Sequence, residues 1–337
     1  MLNGRCSFNS RTKAKSKAAD RSVRSTRADS TLAKADSSAG LRPPFGMTRG
    51  ILGAEYLLRN ICPDNPSGVD SWAMRLVQAG FIALMLFALP GLGQEWARVG
   101  LEKSPRHAEW VQLKHGDRTV SAFIVYPEVK GKAAAVVVIH EIFGLTDWAR
   151  SVADQLAADG YIAIAPDLLS GFGPKGGKTS DFPDVDAARE AVARLDPDQV
   201  TADLNAAADY VKKLPAANGK LAVAGFCWGG GQSFRFATSR KDLSAAFVFY
   251  GAPPRDVGGI TAPVYGFYGE NDQRIDATIP DTRDAMKKAG KKYDVVIYEG
   301  AGHGFMRAGE DPGNTVEANK KARGAAWERW LGVLKRM

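Results

Sequence analysis

Cysteine and histidine are scarce in this sequence, which has three cysteines and four histidines among 337 residues. The cysteines, Cys6, Cys62 and Cys227, lie far apart, so the chain offers neither a disulfide framework nor a CxxC motif. The histidines lack the paired spacing of a zinc centre, and we expect no metal site. Only Cys227 lies in the part of the chain with strong hydrophobic patterning.

Net charge is also absent from most of the chain, although the whole sequence carries +8. Residues 1–93 hold 13 of the 45 Lys and Arg residues but 6 of the 37 Asp and Glu residues, which leaves residues 94–337 nearly neutral. A nucleic-acid surface needs its basic residues on the folded part of the protein. We therefore expect no nucleic-acid partner.

Large apolar side chains are almost absent from residues 1–40, so this segment cannot bury enough surface to offset the entropy of ordering. We predict that residues 1–73 are disordered or precede the true start of translation. From Met74 a short basic start leads to an apolar run and then to small residues before Gln94. This order is typical of a secretory signal peptide, here over residues 74–93 with cleavage after Gly93.

A signal peptide implies export to the periplasm or beyond, and a cytoplasmic location is the alternative. The apolar run is short for a transmembrane helix, which needs about 20 residues, so no stable span is expected after cleavage. A transit peptide and an amphipathic helix packed on the domain are the competing interpretations. Residues 94–337 then form one domain, since α/β folds often use more than about 200 residues around a single sheet.

Nearly continuous apolar runs occupy three segments of this domain, at 133–139, 161–165 and 221–224. Strands with this pattern are covered on both faces, as in a parallel sheet. The remaining strands are predicted at 111–113, 119–126, 245–250, 264–268 and 294–298. Helices are predicted at 147–158, 185–195, 197–214 and 315–334. The alternation predicts an α/β fold with a predominantly parallel central sheet and helices on both faces.

A strand-to-helix turn rich in glycine follows one of the buried strands, where residues 225–231 read GFCWGGG. This is the spacing of a nucleophile elbow with cysteine in place of serine. The sharp turn leaves no room for side chains two positions before and after its centre, and the following helix N-terminus favours negative charge. A lone cysteine after an apolar strand is more often an inert packing residue, but the glycine spacing favours a nucleophile at Cys227.

An acid and a histidine follow the elbow in the chain order expected of a hydrolase. Asp272 ends the segment YGEND after one predicted strand, and His303 lies in EGAGHGF after the next. Both positions lie at the same edge of the sheet as the elbow. Each residue alone could be an ordinary loop residue, but the three in this order predict a Cys-His-Asp triad.

With these motifs the chain resembles the dienelactone hydrolase family from about Val111 to the C-terminus. The most specific marks are HEIFG at 140–144, GFCWGG at the elbow and AGHGF at 301–305. The resemblance implies the α/β-hydrolase fold and an ester or lactone substrate of low molecular weight, of the dienelactone (carboxymethylenebutenolide) type.

The resemblance also implies roles for residues around the triad. Glu141 is expected to hydrogen-bond the resting thiol and to take part in its activation, although a first-turn acid of the next helix would look the same. The backbone N–H groups of Trp228 and Ile142 are expected to form the oxyanion hole. Arg307 and, more weakly, Arg189 match arginines that hold the substrate carboxylate, and a solvated surface arginine is the alternative for both.

The predicted reaction passes through an acyl-enzyme and requires neither a metal ion nor an organic cofactor. A carboxylesterase or lactonase of different substrate range is the alternative, since fold and triad define the reaction better than the substrate. A non-catalytic binding module of the same fold would usually have lost a triad residue. A thiol redox protein would need a second cysteine near Cys227, and the patterned region contains none.

Overall fold

The structure is a computed structural model that describes residues 94–337. The predicted signal peptide at 74–93 and the extension at 1–73 lie outside the described residues. Among the described helices, none is long and apolar enough to cross a membrane.

Eight strands form one sheet in the spatial order β1-β2-β4-β3-β5-β6-β7-β8. In chain order they are β1 (Ala108–His115), β2 (Arg118–Val125), β3 (Ala133–Ile139), β4 (Ile162–Pro166), β5 (Ala217–Phe226), β6 (Ala245–Phe249), β7 (Val264–Gly269) and β8 (Tyr293–Tyr298). The β1–β2 and β2–β4 pairs are antiparallel, and the other pairs are parallel. The predicted, predominantly parallel sheet is therefore confirmed.

The helices cover both faces of this sheet. In chain order they are α1 (Glu95–Glu102), α2 (Asp147–Ala158), α3 (Val185–Ala193), α4 (Pro197–Lys213), α5 (Trp228–Ser239), α6 (Gln273–Asp276), α7 (Ile279–Lys288), α8 (Phe305–Ala308) and α9 (Glu317–Leu334), with short 3₁₀ turns at Pro174–Gly176 and Thr179–Asp181. Alternate side chains of each strand enter one of two cores, because successive strand residues point to opposite faces.

One core packs the sheet against α4 and α5, and the other packs it against α2 and α9. The second core is rich in aromatic side chains. The ring of Trp330 on α9 contacts Phe249 edge-on with centroids 5.0 Å apart, and Phe226 stacks on Phe249 at 4.6 Å. These contacts hold the ends of β5 and β6. The residues that follow these strands, Cys227 and Tyr250, both have positive φ.

The helix over 147–158 begins and ends where the sequence predicts, since Thr146 caps its first turn and a glycine follows shortly after its end. The other predicted helices and strands end within a few residues of their predicted bounds, whereas α1, α6, α7 and α8 are additional. The α7 helix buries only Ile279, Thr282 and Met286, so its apolar pattern is too sparse to indicate a helix.

Candidate active site

Cys227 lies in the turn between β5 and α5 with φ +56° and ψ −117°. A residue other than glycine is rare at positive φ, and such a conformation costs about 1–3 kcal/mol. The Cys227 N–H donates to the Phe249 carbonyl oxygen at 3.0 Å, which fixes the turn to the neighbouring strand. The structure therefore holds this thiol in the strained geometry of a nucleophile elbow.

The glycines around Cys227 are required by close backbone contacts. A Cβ atom on Gly225 would lie 1.9 Å from the Gly229 carbonyl oxygen. A Cβ atom on Gly229 would lie 2.2 Å from the His140 carbonyl oxygen. Since both neighbours are backbone atoms, neither can move without displacing the elbow or the loop that follows β3.

Gly225→Ala is therefore expected to destabilise the protein by about 3 kcal/mol or more, the upper range for overpacking. The measurement is the urea midpoint of unfolding. The matched control is Gly324→Ala on α9, where an added Cβ meets no atom within 4 Å. This control should be neutral or slightly stabilising, because alanine favours a helix over glycine by up to about 1 kcal/mol. Equal midpoints for the two variants would contradict the steric argument.

Asp272 and His303 follow the ends of β7 and β8 and meet beside the elbow. The Nδ1 atom of His303 hydrogen-bonds Oδ2 of Asp272. The Asp272 residue is 6% exposed, and its backbone N–H donates to the Gly269 carbonyl oxygen at 2.9 Å. This buried carboxylate orients the imidazole and leaves the other ring nitrogen available to a reacting group.

The pKa of His303 is shifted by three effects. Burial acts to lower it, but interactions with Cys227 and with Asp272 act in the opposite direction and raise it to about 9. The interaction with Cys227 places the imidazole within electrostatic range of that residue. An imidazolium beside sulfur is the arrangement that stabilises a thiolate.

Tyr250 lies beneath His303 and was not identified from the sequence. It has φ +41°, it is fully buried, and its ring contacts the imidazole edge-on with centroids 5.1 Å apart. Burial raises the pKa of Tyr250 well above its usual value, so the hydroxyl keeps its proton. The positive φ of Tyr250 and its contact with His303 are visible only in the folded chain, so the sequence did not indicate that this residue belongs to the site.

Ile142 and Trp228 border the same cavity as Cys227. Within residues 94–337 neither of these N–H groups donates a hydrogen bond to another protein group. The His140 ring stacks on the Trp228 indole with centroids 5.5 Å apart, which fixes the loop after β3 against the start of α5. Two residues with free amide donors therefore border the cavity that contains the thiol.

Glu141 contacts Arg307 in this structure. Its Oε2 atom accepts a hydrogen bond from Nε of Arg307 at 2.7 Å, and the glutamate residue is 3% exposed. Burial raises the pKa of Glu141, and the guanidinium of Arg307 acts in the opposite direction. The next helix begins only at Asp147, so Glu141 is not a first-turn acid of that helix.

Arg189 lies apart from the other predicted site residues. Its side chain is 54% exposed, and Nη2 lies 3.3 Å from Oδ1 of Asp186 one turn earlier on α3. It borders neither the cavity beside Cys227 nor the one beside Arg307. Arg189 is therefore a solvated surface arginine, which was the alternative left open by the sequence.

A buried polar network, which the sequence analysis did not predict, fixes the loop that carries Glu141 and Ile142. The Thr179 hydroxyl donates to Oδ1 of Asp167 at 2.7 Å and accepts from the Leu145 N–H at 3.0 Å. Gly144, at φ +77°, passes so close that a Cβ atom would lie 2.4 Å from the Thr179 hydroxyl oxygen. Residues 167–182 thereby fix the loop after β3.

Two cavities flank these residues. The first, of about 200 Å³, lies between α3 and the loop after β3 and is bordered by Phe143, Phe182, Asp184 and Arg307. The second, of about 500 Å³, contains Cys227 and extends along α5. Its other polar residues are Trp228, Gln232, Arg235, Tyr250 and Arg274. Among these residues, Arg274 has one indication in the sequence that it lies near the site, which is its position two residues after Asp272.

This combination of a mixed sheet, an elbow after a central strand and an acid and histidine after later strands defines an α/β-hydrolase fold. A crystal structure from Klebsiella pneumoniae, titled "Putative Dienelactone Hydrolase", superposes with a TM-score of 0.60 at 27% identity. The match covers 69% of this chain and 99% of that chain.

The family model described as "Dienelactone hydrolase family" matches residues 120–337, and the chain belongs to this family. A Salmonella typhimurium protein named "Putative carboxymethylenebutenolidase" is 34% identical over 215 residues, which cover 60% of this chain and 76% of that protein. A Bradyrhizobium protein named "Probable 2-oxo-3-(5-oxofuran-2-ylidene)propanoate lactonase" is 27% identical, covering 67% and 93% respectively. The chain is thus a hydrolase that acts on esters or lactones.

Proposed function

We propose that this protein hydrolyses a carboxylic ester or lactone through a thioester on Cys227, with His303 and Asp272 as the other members of a triad. The observation that carries the proposal is the convergence of three strand ends. A strained elbow presents the thiol, and beside it a buried carboxylate orients a histidine whose pKa is raised to about 9 by interactions with Cys227 and Asp272, against the effect of burial.

In the first half of the reaction, the Cys227 thiolate attacks the ester carbonyl carbon and a C–S bond forms. The carbonyl electron pair moves to oxygen, where the free N–H groups of Trp228 and Ile142 can donate to it. Each such donor is worth about 2.7–4 kcal/mol in transition-state stabilisation. When the intermediate collapses, the C–O bond breaks and the imidazolium of His303 gives its proton to the departing alkoxide.

In the second half, neutral His303 takes a proton from water, and the resulting hydroxide attacks the thioester carbonyl. The C–S bond breaks, sulfur leaves as thiolate, and the proton remains on the imidazole. The acid product is released, and the thiolate and imidazolium from which the first half began are restored. With a lactone, the alcohol produced in the first half stays attached to the acyl group, so the final product is a hydroxy acid or its tautomer.

The bonding partner of Glu141 in this structure differs from the one that the family resemblance implies. The family resemblance implies a hydrogen bond to the resting thiol, whereas here the carboxylate bonds to Arg307. We propose that the Glu141 side chain has two positions. In one it bonds to Arg307, as in this structure, and in the other it contacts the thiol and takes part in its activation as substrate binds. The raised pKa that burial gives Glu141 makes a proton exchange with the thiol chemically reasonable.

A dienelactone is the first substrate to test, because the named relatives include carboxymethylenebutenolidases and a furan-ylidene lactonase. A broader carboxylesterase is the second candidate. The observation that favours it is the outward position of Arg189, which leaves the predicted pair of carboxylate-binding arginines incomplete.

The chemical step is tested by trapping the acyl-enzyme. The full chain is mixed with p-nitrophenyl acetate, quenched in acid within one turnover, and mapped by mass spectrometry. We expect an acetyl group on the Cys227 peptide that hydroxylamine removes, as it does a thioester. The control is the Cys6→Ser/Cys62→Ser variant, which should retain both label and turnover.

Turnover with an acetyl group on another residue, or with no acetyl group on Cys227, would contradict the thioester. Absence of turnover with p-nitrophenyl acetate, with dienelactone and with a panel of simple lactones would instead support a non-catalytic binding module.

A further inference from the structure

His140 follows the last residue of β3, and its side chain is fully buried. We propose that His140 is a positioning residue for the oxyanion hole, because its Nδ1–H holds the peptide group between Glu141 and Ile142 so that the Ile142 N–H donates to the substrate oxyanion. The inference rests on the proposed hydrolytic function. It gives a role to the first residue of the HEIFG segment.

The protonation of the His140 ring follows from its partner. Its Nδ1 atom lies 2.7 Å from the Glu141 carbonyl oxygen. A carbonyl oxygen can only accept a hydrogen bond, so Nδ1 carries the proton and donates it. Burial lowers the pKa of His140, against the opposite effect of the Asp167 carboxylate, so the ring is neutral at neutral pH. A neutral imidazole has one N–H group, and that of His140 is therefore committed to the Glu141 carbonyl.

The Glu141 carbonyl and the Ile142 N–H belong to the same peptide group. This group is planar and trans, like every peptide bond among the described residues, so its N–H points opposite to its carbonyl. A hydrogen bond that fixes the direction of the carbonyl therefore fixes the direction of the N–H as well. Because successive hydrogen bonds polarise one another, it also makes the N–H a stronger donor. Within residues 94–337 this N–H donates to no other protein group, and Ile142 borders the cavity that contains Cys227.

His140 also contacts the segment that carries the other proposed oxyanion donor. Its ring stacks on the Trp228 indole with the ring planes 15° apart. Its carbonyl oxygen lies so close to α5 that a Cβ atom on Gly229 would be 2.2 Å from it. The N–H groups of Ile142 and Trp228 come from these two segments, so their separation depends on the position of His140.

Stability does not explain a histidine at this position. The Nε2 atom of His140 is buried and has no hydrogen-bond partner among the described residues. The free-energy cost of an unpaired buried polar atom is at least as large as the net gain from one neutral hydrogen bond. The Glu141 carbonyl also accepts from the Gly144 N–H at 3.3 Å, so it would keep a donor without the imidazole. An apolar side chain of similar size would cost less here, and we therefore assign the histidine to the reaction.

Two substitutions separate the hydrogen bond from the ring contact. His140→Phe keeps an aromatic ring against Trp228 and removes the Nδ1 donor, whereas His140→Asn removes the ring and keeps a donor at the position of Nδ1. We expect His140→Phe to lower kcat for p-nitrophenyl acetate by about 10- to 100-fold with little change in KM, which is less than the loss of about 10²- to 10³-fold when an oxyanion donor is removed outright. Both halves of the reaction pass through an oxyanion, so either rate-limiting step should show the loss. His140→Asn should stay within about threefold of wild type.

The carbonyl stretching frequency of an acyl-enzyme is a readout that a purely structural role would not change. The full chain is acylated on Cys227 with trans-cinnamoyl imidazole, with and without ¹³C at the carbonyl, and the infrared difference spectrum isolates that carbonyl. Hydrogen bonds to a carbonyl oxygen lower its stretching frequency, so wild type and His140→Asn should give a lower frequency than His140→Phe. The control His107→Leu removes an exposed imidazole outside the cavity that contains Cys227, and it should match wild type in both measurements.

Unchanged kcat and carbonyl frequency in His140→Phe, or an equal loss in a His140→Asn variant that keeps the wild-type urea midpoint, would overturn the role of His140 while leaving ester hydrolysis intact. If His140→Phe does not fold, His140→Leu removes the same donor without a larger ring and is judged by the same criteria. If the cinnamoyl-enzyme does not accumulate, kcat alone decides. Absence of both turnover and acyl-enzyme in wild type, with these reagents and with dienelactone, would defeat the proposed function itself, so the two failures are distinguishable.

Discussion

Replacing Cys227 with alanine is expected to lower kcat for ester hydrolysis on the order of 10⁴- to 10⁶-fold, the scale seen when a triad nucleophile is removed. The physical reason is that no other described group can form the acyl-enzyme in the elbow. His303 would remain to activate water, but water would attack an ester that is no longer divided into two easier steps. The measurement is the steady-state rate with p-nitrophenyl acetate and with dienelactone.

The fold of Cys227→Ala should be retained, because alanine is smaller than cysteine and the strained backbone position is held by the Phe249 carbonyl bond. Far-ultraviolet circular dichroism and the urea midpoint check this directly. The Cys6→Ser/Cys62→Ser variant again serves as control and should keep full activity. Activity of Cys227→Ala within tenfold of wild type would eliminate the nucleophile and, with it, the whole proposed mechanism.

Asp272→Asn is expected to lower kcat about 10⁴-fold with the fold unchanged, since an amide cannot hold the imidazole in the required tautomer or stabilise its charge. A matched control is Asp284→Asn, an exposed residue of α7, which should be neutral. Loss of activity in both variants would point to a general effect of charge.

The pH profile provides a second readout for Asp272. In the resting enzyme burial lowers the pKa of His303, but the interactions with Cys227 and Asp272 raise it to about 9. Asparagine removes one of the two raising effects, so the pKa falls. Acylation requires the imidazolium, which exists below its pKa, and the alkaline limb of kcat/KM should therefore move from near pH 9 to lower pH. A limb that stays in place would show that Asp272 does not act through His303.

Much of the site could be predicted because its elements are local in the sequence. The elbow is a strand, a glycine turn and a helix within one short segment, and its glycines are required by backbone contacts around Cys227 itself. The positions of Asp272 and His303 follow from a general property of parallel sheets, in which successive strands end at the same edge. The family motifs added Glu141 and Ile142.

What the sequence could not predict depends on contacts between distant segments. The pairing of Glu141 with Arg307 joins the loop after β3 to the short helix α8. Tyr250 becomes part of the site because β6 lies beside β5 in the sheet, and its φ of +41° is visible only in the folded backbone. The outward position of Arg189 depends on how α3 rotates about its axis, which a loop of uncertain length does not determine.

The sequence by itself therefore determined the α/β class, the parallel sheet and the strand ends at which Cys227, Asp272 and His303 lie. Hydrophobic periodicity and turn chemistry carry that information within single elements. The tertiary structure alone decided which charges are paired, and it joins Arg307 to the buried carboxylate of Glu141 while Arg189 stays at the surface. Charge compensation depends on distances between side chains from different elements, and those distances exist only after the chain has folded.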